Sequence, residues 1–269
     1  MSELLRRPGR ATEAPGFRPF SEVSATSEDL KYVTFHVVQI APGASTGFDT
    51  RGQELCLVVL EGECDVRAYV RGRGGWGPLG GRRDPFDGPP VGYYASAPAK
   101  VFIRSARGAE IAVGLATADP GPPTRPLPAS GARREVRGSG AIERTIHHIL
   151  MEDQPASSLL VTEVVTPAGH WSSYPPHKHD TDDPPRESKL EEIYYFRFRD
   201  PRGFGLMRVY TDDRSLDDSI AVRDGDLVLV PRGYHTVSAP PGYELYYLNV
   251  MAGPLRAWKV TFDPDHQHP

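Results

Sequence analysis

Along most of the chain apolar residues come in short runs rich in Val, Ile, Tyr and Phe, and no window sustains a 3.6-residue period. Runs at 32–40, 54–60, 64–70, 101–104 and 111–117 read as the strands of one β-sandwich. A second set at 159–166, 193–198, 205–210, 227–230 and 244–251 alternates with turns such as Pro201-Arg202-Gly203, Asp224-Gly225-Asp226 and Pro240-Pro241-Gly242. Between the sets, 118–141 is rich in Pro, Gly and Arg and reads as a linker. The pattern predicts an all-β protein of duplicated architecture: a polar arm over 1–30, a domain over 31–117, the linker, a second domain over 142–262 and a frayed tail over 263–269. The only helix expected is a single turn at 215–219.

Composition narrows the function. The 27 Gly and 27 Pro punctuate the strand runs without forming low-complexity blocks, as in all-β proteins. With 31 basic and 35 acidic side chains the net charge is −4, too balanced for a polyanion binder, so nucleic acid is not an expected partner. No apolar run is long enough to span a bilayer and the start, MSELLRRPGR, lacks the apolar core of a secretory signal; a cytoplasmic protein without a membrane partner is expected. Cys56 and Cys64 have no CxxC spacing and are expected as buried, reduced thiols.

One phosphate-loop pattern is a decoy. Gly72-Arg73-Gly74-Gly75-Trp76-Gly77 matches GxGxxG, but Pro78-Leu79-Gly80-Gly81 follows and cannot open the helix that would hold a pyrophosphate, so a hairpin loop is expected. A better lead is His177-Lys178-His179, where a spacing of two puts both imidazoles on one face of a strand. Alone, such a pair is as readily two surface or core histidines. Downstream, Glu191-Glu192 opens a strand and Gly225 to His235 forms a turn–strand–turn ending in a third histidine. Three imidazoles and a carboxylate suit Zn²⁺, Mn²⁺, Fe²⁺, Co²⁺ or Ni²⁺ and leave positions open for water or substrate.

These residues resemble the cupin superfamily, whose first motif is Gly, five residues, HxH and a Glu, and whose second is Gly, five residues, PxG and a His. The match spans Gly169 to His235 with three departures. Gly169 is seven residues from His177, twelve residues separate His179 from Glu192 where three or four are usual, and Pro231-Arg232-Gly233-Tyr234-His235 is one residue tighter. The strings SSYPPHKHD, EEIYYFRF, GFGLMRVYTDDRSLDD, VRDGDLVLVPRGYHTV and YYLNVMAGP are similar to the 5-deoxy-glucuronate isomerase family of myo-inositol catabolism, itself similar to the 4-deoxy-5-ketouronate isomerases. The resemblance implies a bicupin of two jelly-roll β-barrels with little helix. It also implies one divalent metal, zinc first, on His177, His179, Glu192 and His235, with Glu191 as a solvent-side neighbour. The N-terminal half, Gln53 to Glu63, reads like a cupin strand pair without HxH, a degenerate barrel that serves packing or dimerisation.

The implied reaction is an aldose–ketose isomerisation of 5-deoxy-D-glucuronate, which needs a proton carrier and a cation for the substrate carboxylate. Glu191, Glu187 or a metal-bound hydroxide would carry the proton, or both carboxylates are solvated loop charges. For the carboxylate, Arg208 comes first, against the alternative of an outward-facing strand arginine; Arg186 and Lys189 lie in the segment between His179 and Glu192, which is either a lid or a solvated excursion. Tyr194 shares the face of Glu192, and of Tyr246 and Tyr247 at most one lines the same cavity. Lys178 points away from the ligands. His36, His147, His148, His170, His266 and His268 are expected outside the site. A cupin oxygenase on the same ligands and a non-catalytic sugar-acid binder are the competing functions, and association into a homo-oligomer is expected from exposed β-edges.

Overall fold

A computed structural model describes residues 2–8, 18–23, 30–69 and 76–267. Two β-barrels pack back to back. In the first, a nine-stranded sheet curls on itself: Arg125–Leu127, Gly92–Ala95, Gln53–Tyr69, Ala109–Thr117, Val33–Ile40 and Arg18–Val23 follow one another in space, and Ser45–Asp49, Lys100–Arg104 and Trp76–Arg82 close the far side. In the second, a seven-stranded sheet runs Leu5–Arg6, Leu227–Val230, Glu191–Phe198, Leu245–Ala252, Leu160–Thr166, Arg144–Leu150 and Arg133–Arg137. It faces a five-stranded sheet of Asp217–Arg223, Phe204–Tyr210, Tyr234–Ser238, Trp171–Lys178 and Thr261–Phe262. The central order is the same in both barrels, with Gly92–Ala95, Gln53–Tyr69, Ala109–Thr117 and Val33–Ile40 matching Leu227–Val230, Glu191–Phe198, Leu245–Ala252 and Leu160–Thr166. Duplication is thus visible in the topology, and the fold is the all-β bicupin.

Some elements differ from expectation. The 54–60 and 64–70 runs are one strand, Gln53–Tyr69, bent by a bulge between Val59 and Glu61. The helical turn at 215–219 is instead a turn followed by the strand Asp217–Arg223, because Arg214 adopts positive φ and Asp213 accepts from the Ser215 amide. The 118–141 segment gives an edge strand to each barrel, Arg125–Leu127 to the first and Arg133–Arg137 to the second. From the arm, Leu5–Arg6 pairs with Leu227–Val230 of the second barrel. Residues 264–266 of the tail form a 3₁₀ turn whose Asp263 carboxylate accepts from Asp265 N and Tyr210 OH. Most of the GxGxxG loop lies outside the described residues. Cys56 and Cys64 are free and buried, and burial pushes the Cys64 thiol up to about 12.

The strands between the barrels are buried on both faces, so they read as long apolar runs interrupted only by Glu110 in one and Asn249 in the other. Phe35, Val37, Val58, Leu60 and Ala112 of the first barrel meet Ile193, Tyr195, Leu229, Leu248 and Val250 of the second. At Gly114 the contact is so close that a Cβ would come within 2.6 Å of Val250 Cγ1.

Carboxylates tie the barrels together as well. Glu54 accepts from the amides of Ser157, Ser158 and Leu159 (2.6–2.8 Å) and from Tyr94 OH (2.6 Å). Its counterpart Glu191 accepts from the amides of Lys31 and Tyr32, both at 2.7 Å. Each barrel therefore anchors the backbone that enters the other at the corresponding strand. Arg82 grips Glu163 with two bonds of 3.0 and 2.8 Å, fully buried, and Arg197 and Tyr195 OH reach Glu110.

Candidate metal centre and its cavity

Alternation in the second barrel points Glu192, Tyr194, Tyr247, Asn249 and Met251 into the space between its two sheets, where they line a cavity. His177 and His235 come from the opposite sheet, paired directly across neighbouring strands. His179 follows immediately after the Trp171–Lys178 strand, and its carbonyl accepts from Leu190 N at 2.8 Å. Gly233 is needed before His235: its φ is +95°, and a Cβ there would sit 2.6 Å from the Tyr210 carbonyl oxygen. The twelve-residue excursion between His179 and Glu192 is pinned, with Glu187 accepting from Lys178 Nζ (3.1 Å) and from the amides of Asp180 and Thr181 (2.8 Å each).

The ligand atoms of His177, His179 and His235 lie within 4.8 Å of one another, and all three rings are buried. Glu192 Oε2 is 3.1 Å from Nε2 of both His179 and His235. His179 Nδ1 is 2.9 Å from the Leu190 carbonyl and His235 Nδ1 3.1 Å from the Gly233 carbonyl. With Nδ1–H donated to those carbonyls, each Nε2 turns its lone pair toward Glu192, which is the tautomer of a metal-bound histidine. The buried His235 Nε2 has no hydrogen-bond partner of its own, since its approach to Glu192 lacks the alignment of a bond. The donor set fits a divalent cation: three ring nitrogens and a carboxylate converge, and His235 Nε2 is left without a partner. The three rings differ electrostatically: burial would lower the His179 ring, but its bond to Glu192 and the charge there raise it. Burial, reinforced by His235 and His179, pushes the His177 ring well below its ordinary range. Burial would raise the Glu192 carboxyl, but the flanking imidazoles outweigh it and hold the group at about 2.

The remaining expectations divide. Tyr194 and Tyr247 line the cavity, both bonded to Ser173 Oγ (3.1 and 3.3 Å), while Tyr246 turns to the interface and donates to Glu163. Lys178 points away and pairs with Asp180 and Glu187. Arg208 is a correction: it lies on the outer face of its strand, bonded twice to Asp217 at 2.8 Å. Arg186 is solvent-exposed and paired with Asp183, and Lys189 stands outside the cavity wall with its backbone against Gly253. Glu191 is not solvent-side but buried at the interface, and Glu187 is committed to Lys178, so neither reaches the cavity. His170 is taken by the Glu143 carbonyl, His147 by Glu163, and His266 stands over Tyr210. His268 lies outside the described residues.

Sequence reasoning missed Arg144, His148, Asn249, Arg137 and Trp258, all in the cavity wall. The signal for two of them was present: in Arg144-Thr145-Ile146-His147-His148, alternation puts Arg144 and His148 on one face. His148 Nε2 bonds Glu135 Oε2 at 2.8 Å, across a strand pairing that sequence spacing does not reveal.

Comparison with known proteins gives these features a context. The model of the KduI/IolB family matches residues 4–269. The 5-deoxy-glucuronate isomerase of Geobacillus kaustophilus is 49% identical over 91% of this chain and 88% of its own length. That of Bacillus subtilis strain 168 is 41% identical over 99% and 98%. An IolB-like protein of Salmonella typhimurium LT2 has a crystal structure that superposes with a TM-score of 0.92, at 40% identity over 99% of this chain and 98% of that one. The oxalate decarboxylase of Lactobacillus farciminis, in its formate complex, shares the fold at a TM-score of 0.71 and 14% identity, over 97% and 89%.

Proposed function

Since this chain belongs to the KduI/IolB family, whose curated relatives are isomerases, we propose that it converts 5-deoxy-D-glucuronate to 5-dehydro-2-deoxy-D-gluconate, an aldose–ketose step of myo-inositol catabolism. The observation that carries the reading is the convergence of His177, His179, His235 and Glu192 beside a cavity that His177 and Glu192 line, in a chain so similar to named isomerases. These four residues would hold one divalent metal, zinc first and Mn, Fe, Co or Ni as the alternatives. Bound there, the metal supplies Lewis acidity to the sugar carbonyl and its neighbouring hydroxyl, and no redox change is required.

The chain's own residues do the rest. The Leu190 and Gly233 carbonyls hold two imidazoles in the ligating tautomer. Tyr194, Tyr247 and Ser173 offer hydroxyls to those of the sugar, and burial raises both phenols, so they act as neutral hydrogen-bonding groups. The deep placement of Glu192 and His235 keeps bulk water away from the site.

No helix among the described residues is long and apolar enough to cross a membrane. Our reading is of a cytoplasmic enzyme acting on a small sugar acid, with neither nucleic acid nor membrane as partner and with self-association as its assembly. The test is to purify wild type and His177→Ala, quantify bound metals by mass spectrometry, and follow 5-deoxy-D-glucuronate by proton NMR without oxygen or nucleotide. Near-stoichiometric metal and ketose formation, lost together in the variant, are expected. Bound metal with untouched substrate would overturn the isomerase reading in favour of an oxygenase or a sugar-acid binder.

A further inference from the structure

The cavity wall holds cations as well as His177 and Glu192. Apart from Arg137, the cation in its wall is Arg144, and the two are not equivalent. Arg137 bonds Glu135 at 2.7 and 3.1 Å and lies over the Trp258 ring at 5.3 Å. Arg144 is 7% exposed, and its one hydrogen bond runs from Nη1 to the Ile142 carbonyl at 2.9 Å. Among the described residues its Nε and Nη2 have no hydrogen-bond partner and it has no ion pair. Glu192, the acid in the cavity wall, lies against His179 and His235, at 3.1 Å from each. A buried guanidinium without a counter-ion is unfavourable unless an anion arrives to pair with it, and burial indeed depresses its proton affinity. Two further buried donors or acceptors in the same wall, Asn249 Nδ2 and His148 Nδ1, also lack partners. In the apolar barrel, by contrast, the position-matched interior is filled with aliphatic side chains.

We propose that Arg144 is the carboxylate anchor of the cavity, binding the acid end of the substrate while the histidine cluster receives the carbonyl end. This rests on the isomerase reading and adds to it a specificity determinant. A planar guanidinium with Nε and Nη2 free presents the two parallel N–H groups that a carboxylate accepts side by side. Arg137, already paired with Glu135, adds positive potential to the same wall. Arg144 therefore selects uronates over neutral sugars of the same shape.

The experiment compares wild type, Arg144→Met and Arg144→Lys on 5-deoxy-D-glucuronate and on 5-deoxy-D-glucose, in which the carboxylate is a primary alcohol. Circular dichroism and metal content check that each variant is folded and loaded. Loss of charge-assisted bonds should raise KM for the uronate about 10- to 100-fold in Arg144→Met, less in Arg144→Lys, and leave KM for the neutral sugar unchanged. Equal changes for both sugars, or none for either, would overturn the anchor. If wild type does not turn over the uronate, the isomerase reading fails. The anchor is then decided by titrating D-glucuronate against the fluorescence of Trp258 in the cavity wall. Saturable quenching abolished in Arg144→Met upholds it, and quenching that is absent or indifferent to the substitution refutes it.

Discussion

The two barrels share a strand order and differ in what they place inside it. Glu54 and Glu191 occupy the same position at the start of matching strands and do the same work, each holding backbone amides of the other barrel. One residue on, where the side chain turns inward, the first barrel has Leu55 and the second has Glu192. Around Leu55 the interior is closed with Val38, Leu57, Val59, Val101, Ile103 and Val113. Around Glu192 it is His177, His235, Tyr194, Asn249 and Arg144, set among apolar side chains such as Ile146, Val164 and Met251. The face that joins the barrels is preserved in both, and only the inner face diverges. One barrel therefore keeps an ordinary apolar core and lends rigidity through the shared interface, while the other carries unsatisfied polar groups that a core would not tolerate.

The comparison breaks most sharply at Glu192. Glu192→Leu copies the first barrel into the second. Activity should fall about 10²- to 10³-fold or more with loss of bound metal, whereas the apoprotein should lose little stability, because the imidazoles left behind are neutral at pH 7 and no uncompensated charge remains. A large drop in apoprotein stability would mean that the carboxylate is structural. The next effect is at the interface. Arg82→Met leaves Glu163 buried with only His147 and Tyr246 beside it, and urea unfolding should show a loss of about 3–5 kcal/mol, roughly 10 °C in melting temperature. Adding Glu163→Met should recover much of it; no recovery would show that the ion pair is not what holds the faces together.

How much of this the chain announced follows from the same contrast. Strand runs were legible because their composition marks them even where both faces are buried, as in Leu245–Ala252. The histidines were legible because local spacing in strands maps directly onto geometry, as His177 and His179 show. Arg208 misled because a strand arginine carries no mark of which face it takes, and its partner Asp217 sits on the adjacent strand. Glu191 misled for a different reason: it looked like an exposed neighbour because nothing local reveals that a second barrel covers that face. Arg144 and His148 sat in an alternating strand just past the linker, but their importance depends on Glu135, Trp258 and the opposite sheet, which only folding assembles.

A smaller effect sharpens the interface argument. At Gly114 the new methyl of Gly114→Ala would meet Val250 Cγ1 at 2.6 Å, so overpacking should cost about 1–3 kcal/mol. Val250→Ala in the same chain should relieve part of it, and strictly additive losses in a double-mutant cycle would show that the faces adjust independently.

The smallest expected effect concerns acid. The polar end of the second barrel carries Glu135, whose carboxyl is held at about 2, from an ordinary 4.5, by bonds from Arg137 and His148 that outweigh partial burial. A depressed carboxyl stabilises the fold above its unfolded value, and the contribution fades as pH falls from about 4.5 toward 2. Solvent screening limits it to about 1 kcal/mol. His148, lowered by burial despite its bond to Glu135, acts in the same direction from 6.5 downward, since the folded chain resists charging it. Urea unfolding of wild type and Glu135→Gln at pH 7, 5, 4 and 3 should therefore show a gap that is widest at neutral pH and closes on acidification. A gap that stays constant would mean Glu135 acts through packing and not through its charge, and acid sensitivity would then have to come from the carboxylates that both barrels share at their interface.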